Sequence, residues 1–127
     1  MILSPAISRT VVVVEDDAAM LVGLRRMINA YGYRSETFTS AEQFLAHPAA
    51  LDILCLVLDI NLPGISGIEL SRRLSAGGRR IPIVFITARD DEATHEDAAA
   101  VGYVAYLRKP FPGQTLIDAI KLSDSLH

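Results

Sequence analysis

Cysteine is nearly missing from this chain: Cys55 is the single one in 127 residues. One thiol excludes an internal disulfide and any site built on several thiolates. It stands inside the apolar run Ile53-Leu54-Cys55-Leu56-Val57, the setting of a buried, inert thiol rather than a redox centre. Long hydrophobic runs are missing too, since no apolar stretch approaches the length of a membrane span. The N-terminal Met1-Ile2-Leu3-Ser4-Pro5-Ala6-Ile7 lacks both the length and the basic start of a signal peptide. Positive charge is in deficit: the formal net charge is −3, and basic residues adjoin in no more than pairs, as at Arg25-Arg26, Arg72-Arg73 and Arg79-Arg80. Those pairs read as solvated helix faces or loops, not as a nucleic-acid surface. His47, His95 and His127 each lack a metal-ligand neighbour at useful spacing and read as surface residues. No low-complexity segment, linker or internal repeat interrupts a sequence that is 50% hydrophobic, so disorder is excluded. The expectation is one soluble, cytoplasmic domain with no direct contact to nucleic acid or membrane and a core that needs no staples.

What is present alternates between strand and helix patterns. Thr10-Val11-Val12-Val13-Val14 is β-branched throughout and reads as a central strand. Apolar residues then recur at Met20, Leu21, Leu24, Met27, Ile28 and Tyr31, one face of a helix that Asp16 or Asp17 caps and Gly32 ends. Tyr33 to Phe38 predicts a short strand; Thr39 or Ser40, with Glu42 or Gln43 behind it, opens a second helix that Pro48 closes. A strand buried on both faces follows at Ile53–Val57 and runs into Asp59, and Pro63-Gly64 then turns the chain. Ser66-Gly67 opens a third helix with Ile68, Leu70 and Leu74 inward, ended by Gly77-Gly78. Ile81 to Ile86 predicts a fourth strand, and Asp90 to Val101 an acidic, Ala-rich helix with a thin apolar face. Tyr103 to Leu107 predicts a fifth strand, and Gly113 to Leu126 a last helix with Leu116, Ile117, Ile120 and Leu122 inward. Strands alternating with helices specify an α/β domain whose parallel sheet is covered on both faces. The expected strand order is 2-1-3-4-5, with a switch point between the first and third strands.

In that topology Glu15 and Asp16, after the first strand, lie beside Asp59 at the end of the third. Ligands collect at this edge of open parallel sheets. Two carboxylates ~4 Å apart at an effective dielectric of ~20 repel by about 4 kcal/mol. A retained proton or a bound cation must relieve that repulsion. Hard oxygen ligands on an open edge suit magnesium. An acidic helix start accounts for Asp17, accounts less well for Glu15, and leaves Asp59 unexplained. Thr87 and Lys109, from the ends of the fourth and fifth strands, bring a hydroxyl and a cation to the same crevice. Alone they would be a strand-end cap and a surface lysine; together with the acids they make a place for a phosphoryl group.

Val13-Val14-Glu15-Asp16-Asp17, Leu58-Asp59-Ile60-Asn61-Leu62-Pro63-Gly64, Ile86-Thr87-Ala88 and Tyr106-Leu107-Arg108-Lys109-Pro110-Phe111 together resemble the receiver domain of two-component response regulators. The resemblance covers the chain from about Thr10 to the last helix, leaving 1–9 as an N-terminal extension and 10–127 as the receiver. It implies a flavodoxin-like doubly wound fold and a phosphorelay signalling domain rather than a turnover enzyme. Asp59 would accept a phosphoryl group from a histidine kinase or a histidine phosphotransfer protein. Magnesium, or manganese in its place, would be held by Asp16, Asp59 and the main-chain carbonyl of Asn61, with Glu15 acting through water. Asp is also common at the position of Glu15, whose extra methylene would let that contact become direct. Thr87 would hydrogen-bond the phosphoryl oxygens and Lys109 would pair with them, the Lys109-Pro110 peptide being cis and aiming the lysine inward. Asn61, Ala88 and Arg89 would flank the pocket and tune how long the acyl phosphate survives.

The resemblance also implies a switch in which Thr87 moves toward the phosphoryl group and Tyr106 turns into the space left behind. Output to a downstream effector protein or domain would then pass through the fourth helix, fifth strand and fifth helix. Asp90, Asp91, Glu92, Glu96 and Asp97 could pair with Lys and Arg of the last strand and helix across a homodimer formed on that surface. Three rival readings fit parts of this pattern. A phosphatase of the haloacid dehalogenase type would want a second acid where Asn61 stands. A flavodoxin-type cofactor carrier would want a phosphate-cradling glycine loop after the first strand. A pseudo-receiver that binds partners without phosphorylation is opposed by the complete acid–Asp–Thr–Lys set.

Overall fold

Five strands and five helices alternate in the computed structural model, which describes residues 9–47, 52–89 and 91–127. In chain order they are β1 (Thr10–Val14), α1 (Ala18–Ala30), β2 (Arg34–Phe38), α2 (Ala41–Ala46), β3 (Ile53–Asp59), α3 (Gly67–Ala76), β4 (Ile83–Thr87), α4 (Glu92–Val101), β5 (Ala105–Arg108) and α5 (Gly113–Asp124). All neighbouring strands pair in parallel, in the order β2-β1-β3-β4-β5. This is the expected topology, and no helix among the described residues is long and apolar enough to cross a membrane. The N-terminal extension falls almost wholly outside the described residues, as do Pro48, expected to close α2, and Asp90.

Side chains alternate along each strand, so the sheet sorts its residues between two cores. Val12, Val14, Leu56, Leu58, Ile83 and Phe85 face α2, α3 and α4, where they meet Phe44, Leu70, Leu74 and Ala98. Val11, Val13, Val57, Val84, Ile86 and Leu107 face α1 and α5, where they meet Leu24, Ile28, Leu116, Ile117 and Ile120. Cys55 belongs to this second core, and burial pushes its thiol up to about 12, which keeps it protonated and unreactive.

Local signals set most helix starts. Asp17, Ser40, Ser66 and Asp91 each accept the backbone N–H three residues on, satisfying one of the donors that a helix start leaves open. Asp17, not Asp16, is therefore the cap of α1, which leaves Asp16 free of that duty. Gly32, at φ 91°, follows the α1 C-cap and donates to the Asn29 carbonyl.

The structure departs from the sequence expectation at several ends. Strand β4 begins at Ile83 rather than Ile81, because Pro82 has no N–H to give to the ladder, although its carbonyl still accepts from Leu56. Strand β5 begins at Ala105 rather than Tyr103. Leu122 does not face inward: it is 53% exposed, while Ser123 is fully buried and its hydroxyl donates to the Ala119 carbonyl. Tyr31, expected on the inner face of α1, is 50% exposed at the helix end, where its hydroxyl donates to Gln114 of α5.

Candidate functional site

Because the strands are parallel and nearly in register, their carboxyl ends form one edge. Val14 pairs with Leu58, Asp59 with Ile86, and Thr87 with Arg108. Glu15, Asp59, Thr87 and Lys109 are thus the last or next residues of four adjacent strands. The ladder carries on into the loops, with Ile60 N–H donating to Ile86 and Lys109 N–H donating to Thr87. Gly67 lets α3 come close under this edge, since a Cβ there would collide with the Asp59 carbonyl.

Glu15 and Asp59 are buried acids, 1% and 3% exposed. Lys109 bridges them, with its Nζ 2.9 Å from Glu15 Oε2 and 3.2 Å from Asp59 Oδ2. The Lys109-Pro110 peptide bond is cis. The other oxygens are also engaged: Asp17 N–H donates to Glu15 Oε1 at 3.1 Å, and Asn61 N–H donates to Asp59 Oδ1 at 3.0 Å. Asp16 is exposed at the rim. One oxygen from each of Glu15, Asp16 and Asp59 lies within 4.8 Å of the others.

Burial pushes the Glu15 carboxyl above its ordinary range; the Lys109 hydrogen bond opposes this, and the charge of Asp59 adds to it. For Lys109, burial works to lower the pKa, but the Glu15 hydrogen bond and the charge of Asp59 prevail and raise it. Two acids and one cation therefore share the crevice with negative charge in excess. The donor set fits a hard divalent cation: carboxylate oxygens only, a mouth open to solvent at Asp16, and a repulsion that such an ion would relieve.

Thr87 is fully buried. Its Oγ1 lies 2.8 Å from Asn61 Oδ1 and 2.7 Å from the Arg89 carbonyl, and accepts from Arg89 N–H at 3.0 Å. A hydroxyl has one proton, so Asn61 and Arg89 compete for it. Ala88 and Arg89 are exposed just past β4.

Tyr106, on β5, lies partly buried against the α2–α4 core. The ring of His95, on α4, stacks on it at a centroid distance of 4.4 Å and 17°. His95 Nε2 also lies 3.0 Å from the Tyr103 hydroxyl. His95 is exposed, as its spacing suggests, yet it is engaged on both its ring face and Nε2; a partner on another element carries no signal in local sequence. His127 is similar, with Nε2 2.8 Å from the Leu54 carbonyl. Glu42, read only as a capping candidate, instead accepts the N–H of Ile65 in the β3–α3 loop at 3.1 Å.

With this geometry in hand, comparison with known proteins is specific. The response regulator receiver domain family matches residues 11–121. The chain is 35% identical over 109 residues to the response regulator protein TmoT of Ectopseudomonas mendocina, covering 86% of this chain and 50% of TmoT. It is 34% identical over 111 residues to the transcriptional regulatory protein FixJ of Azorhizobium caulinodans, covering 87% and 53%. The chain thus spans about half the length of these curated relatives. Among solved structures it superposes on the response regulator StyR with a TM-score of 0.84 at 42% identity, covering 94% of this chain and 60% of that one. On FixJ-N the TM-score is 0.83 at 32% identity, covering 92% and 94%. A CheY-like receiver domain from Methanospirillum hungatei JF-1, at 23% identity, 93% and 94% coverage and a TM-score of 0.86, shares the fold.

Proposed function

Because this chain belongs to the response regulator receiver domain family, we propose that Asp59 is its phosphoacceptor and that the edge around Asp59 is built to receive and hold a phosphoryl group. An Asp59 carboxylate oxygen attacks the phosphorus of a phosphohistidine on a kinase or phosphotransfer protein. The P–N bond breaks, the imidazole leaves with its electron pair and takes a proton, and an acyl phosphate remains on Asp59. The observation that carries this reading is the Lys109 ammonium 3.2 Å from Asp59 Oδ2 in a buried acidic crevice.

Asp16, Asp59 and the Asn61 carbonyl, with Glu15 through water, are the groups that would hold Mg2+, or Mn2+ in its place. When bound, the ion supplies positive charge to offset the phosphoryl oxygens. Lys109 shifts its hydrogen bond from Asp59 to a phosphoryl oxygen while keeping Glu15. Thr87 gives its proton to a second phosphoryl oxygen and releases Asn61 and Arg89. The exposed Arg89 side chain shields or orients the group and so alters its lifetime. Tyr106 then leaves the His95 stack and turns toward the space near Thr87, changing the surface of α4, β5 and α5. An effector protein or domain, or a second copy of this chain, reads that surface. The acids Asp91, Glu92, Glu96 and Asp97 supply charge for such a contact.

The test is incubation with acetyl phosphate and magnesium followed by intact-mass measurement. Wild type gains one phosphoryl group and Asp59→Asn gains none. A wild type that stays unmodified, or an Asp59→Asn protein modified to the same extent, overturns the proposal.

A further inference from the structure

One contact ties the site to an element that contributes nothing to it directly. Helix α2 is only six residues long, too short to hold itself. Its first turn is secured twice: Ser40 Oγ accepts from Gln43 N–H at 3.0 Å, and Gln43 Oε1 accepts from Thr39 N–H at 2.7 Å. Below, Ala41 and Phe44 are packed into the same core as Ile60 and Leu62, with Ile65 against it. Phe44 also meets Phe38 edge to face at 5.4 Å. The turn that carries Glu42 is therefore fixed from both sides.

Glu42 reaches from that turn across to the β3–α3 loop, residues 60–66, and its Oε2 takes the Ile65 N–H at 3.1 Å. The loop is shaped to admit it. Gly64 stands at φ +74°, and a Cβ there would run into the Glu42 carboxylate. At its base the loop is closed by the Gly67 N–H bond to the Ile60 carbonyl. At its near end stands Asn61, whose N–H holds Asp59 Oδ1 and whose side chain holds the Thr87 hydroxyl. A loop pinned at Ile65 has less freedom at Asn61.

We infer that Glu42 is a positioning residue for the phosphoacceptor site, acting through Ile65 and the loop to set where Asn61 presents its groups. It acts as a hydrogen-bond acceptor, so the amide of glutamine keeps the contact, more weakly than the carboxylate, where alanine loses it. Its functional consequence rests on the proposed role of Asp59; its effect on the loop does not.

The experiment compares wild type, Glu42→Gln and Glu42→Ala. In metal-free protein, NMR amide exchange is read at Ile65 and Asn61, with Val12 and Leu56 of the sheet as folding controls. Magnesium chloride is then titrated, and the decay of acetyl-phosphate-derived phosphoryl is followed by intact mass. Glu42→Ala is expected to speed exchange at both loop amides and to weaken Mg2+ binding by about threefold to tenfold, the range for one lost hydrogen bond. Glu42→Gln is expected to fall between wild type and Glu42→Ala in every readout, because its neutral oxygen still accepts from Ile65 N–H. Unchanged exchange at Asn61 in Glu42→Ala, or a glutamine variant as impaired as alanine, overturns the inference. A wild type that takes up neither magnesium nor phosphoryl sinks the role of Asp59 instead, and exchange at Asn61 still decides whether Glu42 positions the loop.

Discussion

Replacing Lys109 with methionine keeps most of the side chain's bulk and removes its charge, which isolates what the ammonium does. At an effective dielectric of ~20, its contacts of 2.9 Å with Glu15 and 3.2 Å with Asp59 correspond to gross attractions of about 6 and about 5 kcal/mol. Dehydrating the three groups cancels much of this, and breaking one side of a buried ion pair costs about 3–5 kcal/mol net. Without the lysine, two buried acids whose ligand oxygens lie within 4.8 Å still repel by about 3 kcal/mol or more. Protonation is one escape. The Glu15 pKa is already raised in the folded protein by burial, and the Lys109 hydrogen bond is the leading influence opposing that rise. Between the unfolded and folded values the native chain keeps a proton that the unfolded chain has lost, so stability falls as pH rises through that window. Lys109→Met widens the window upward from the ordinary glutamate value. The expected result in urea unfolding without metal is a loss of about 3–5 kcal/mol at pH 7.5. At pH 5.0 the loss should be smaller, because the folded variant then holds the Glu15 proton that burial favours. Millimolar Mg2+ should stabilise the variant more than wild type, because the ion takes over the neutralisation that lysine supplied. Equal losses at the two pH values, or no extra response to Mg2+, would refute the account of a charge-frustrated crevice.

Two further substitutions probe the switch. Asn61→Ala removes the side-chain oxygen 2.8 Å from the Thr87 hydroxyl but keeps the backbone carbonyl; labelling by acetyl phosphate should speed up by about twofold to tenfold, and an intact-mass time course no faster than wild type would contradict this. His95→Leu keeps an apolar cover but removes the 4.4 Å stack on Tyr106 and the contact with Tyr103. The population of Tyr106 turned toward Thr87 in protein without phosphoryl donor should rise by about twofold to tenfold, the worth of one aromatic contact, and unchanged Tyr106 ring resonances would count against it.

The parts of this fold legible in sequence are those written in contiguous residues. Four valine- or isoleucine-bearing runs and the short Tyr33–Phe38 stretch read as strands, and their alternation with helices points to the order seen in the sheet. The placement of Glu15, Asp59, Thr87 and Lys109 together followed from topology alone, because each directly follows or ends a strand. What stayed hidden depends on partners far along the chain. Ser123 looks polar and was passed over in favour of Leu122, yet its hydroxyl satisfies itself on the Ala119 carbonyl, and a self-satisfied serine packs inward at little cost. The contacts of Glu42 with Ile65, His95 with Tyr106, and His127 with Leu54 span 11 to 73 residues; no periodicity encodes them. Strand ends slipped where Pro82 interrupts donation, a local feature that the apolar run masked.

The Thr87 hydroxyl shows why charge added at one point would be felt on a distant face. Its single proton is divided between Asn61, on the β3–α3 loop, and the Arg89 carbonyl, at the start of the β4–α4 loop. A phosphoryl oxygen on Asp59, if the proposed role holds, would be a stronger acceptor than either neutral carbonyl; it would take the proton, and both loops would lose a tie together. Arg89 lies two residues before Asp91, the cap of α4, and His95 lies within the first turns of that helix with its ring on Tyr106. Of the α4 side chains only Ala98 is fully buried, so little apolar contact resists a shift of the helix. In the proposed switch, moving one proton by the length of a hydrogen bond would bias the tyrosine through α4, because that helix is weakly anchored and its cap and the ring of His95 lie along the same few residues.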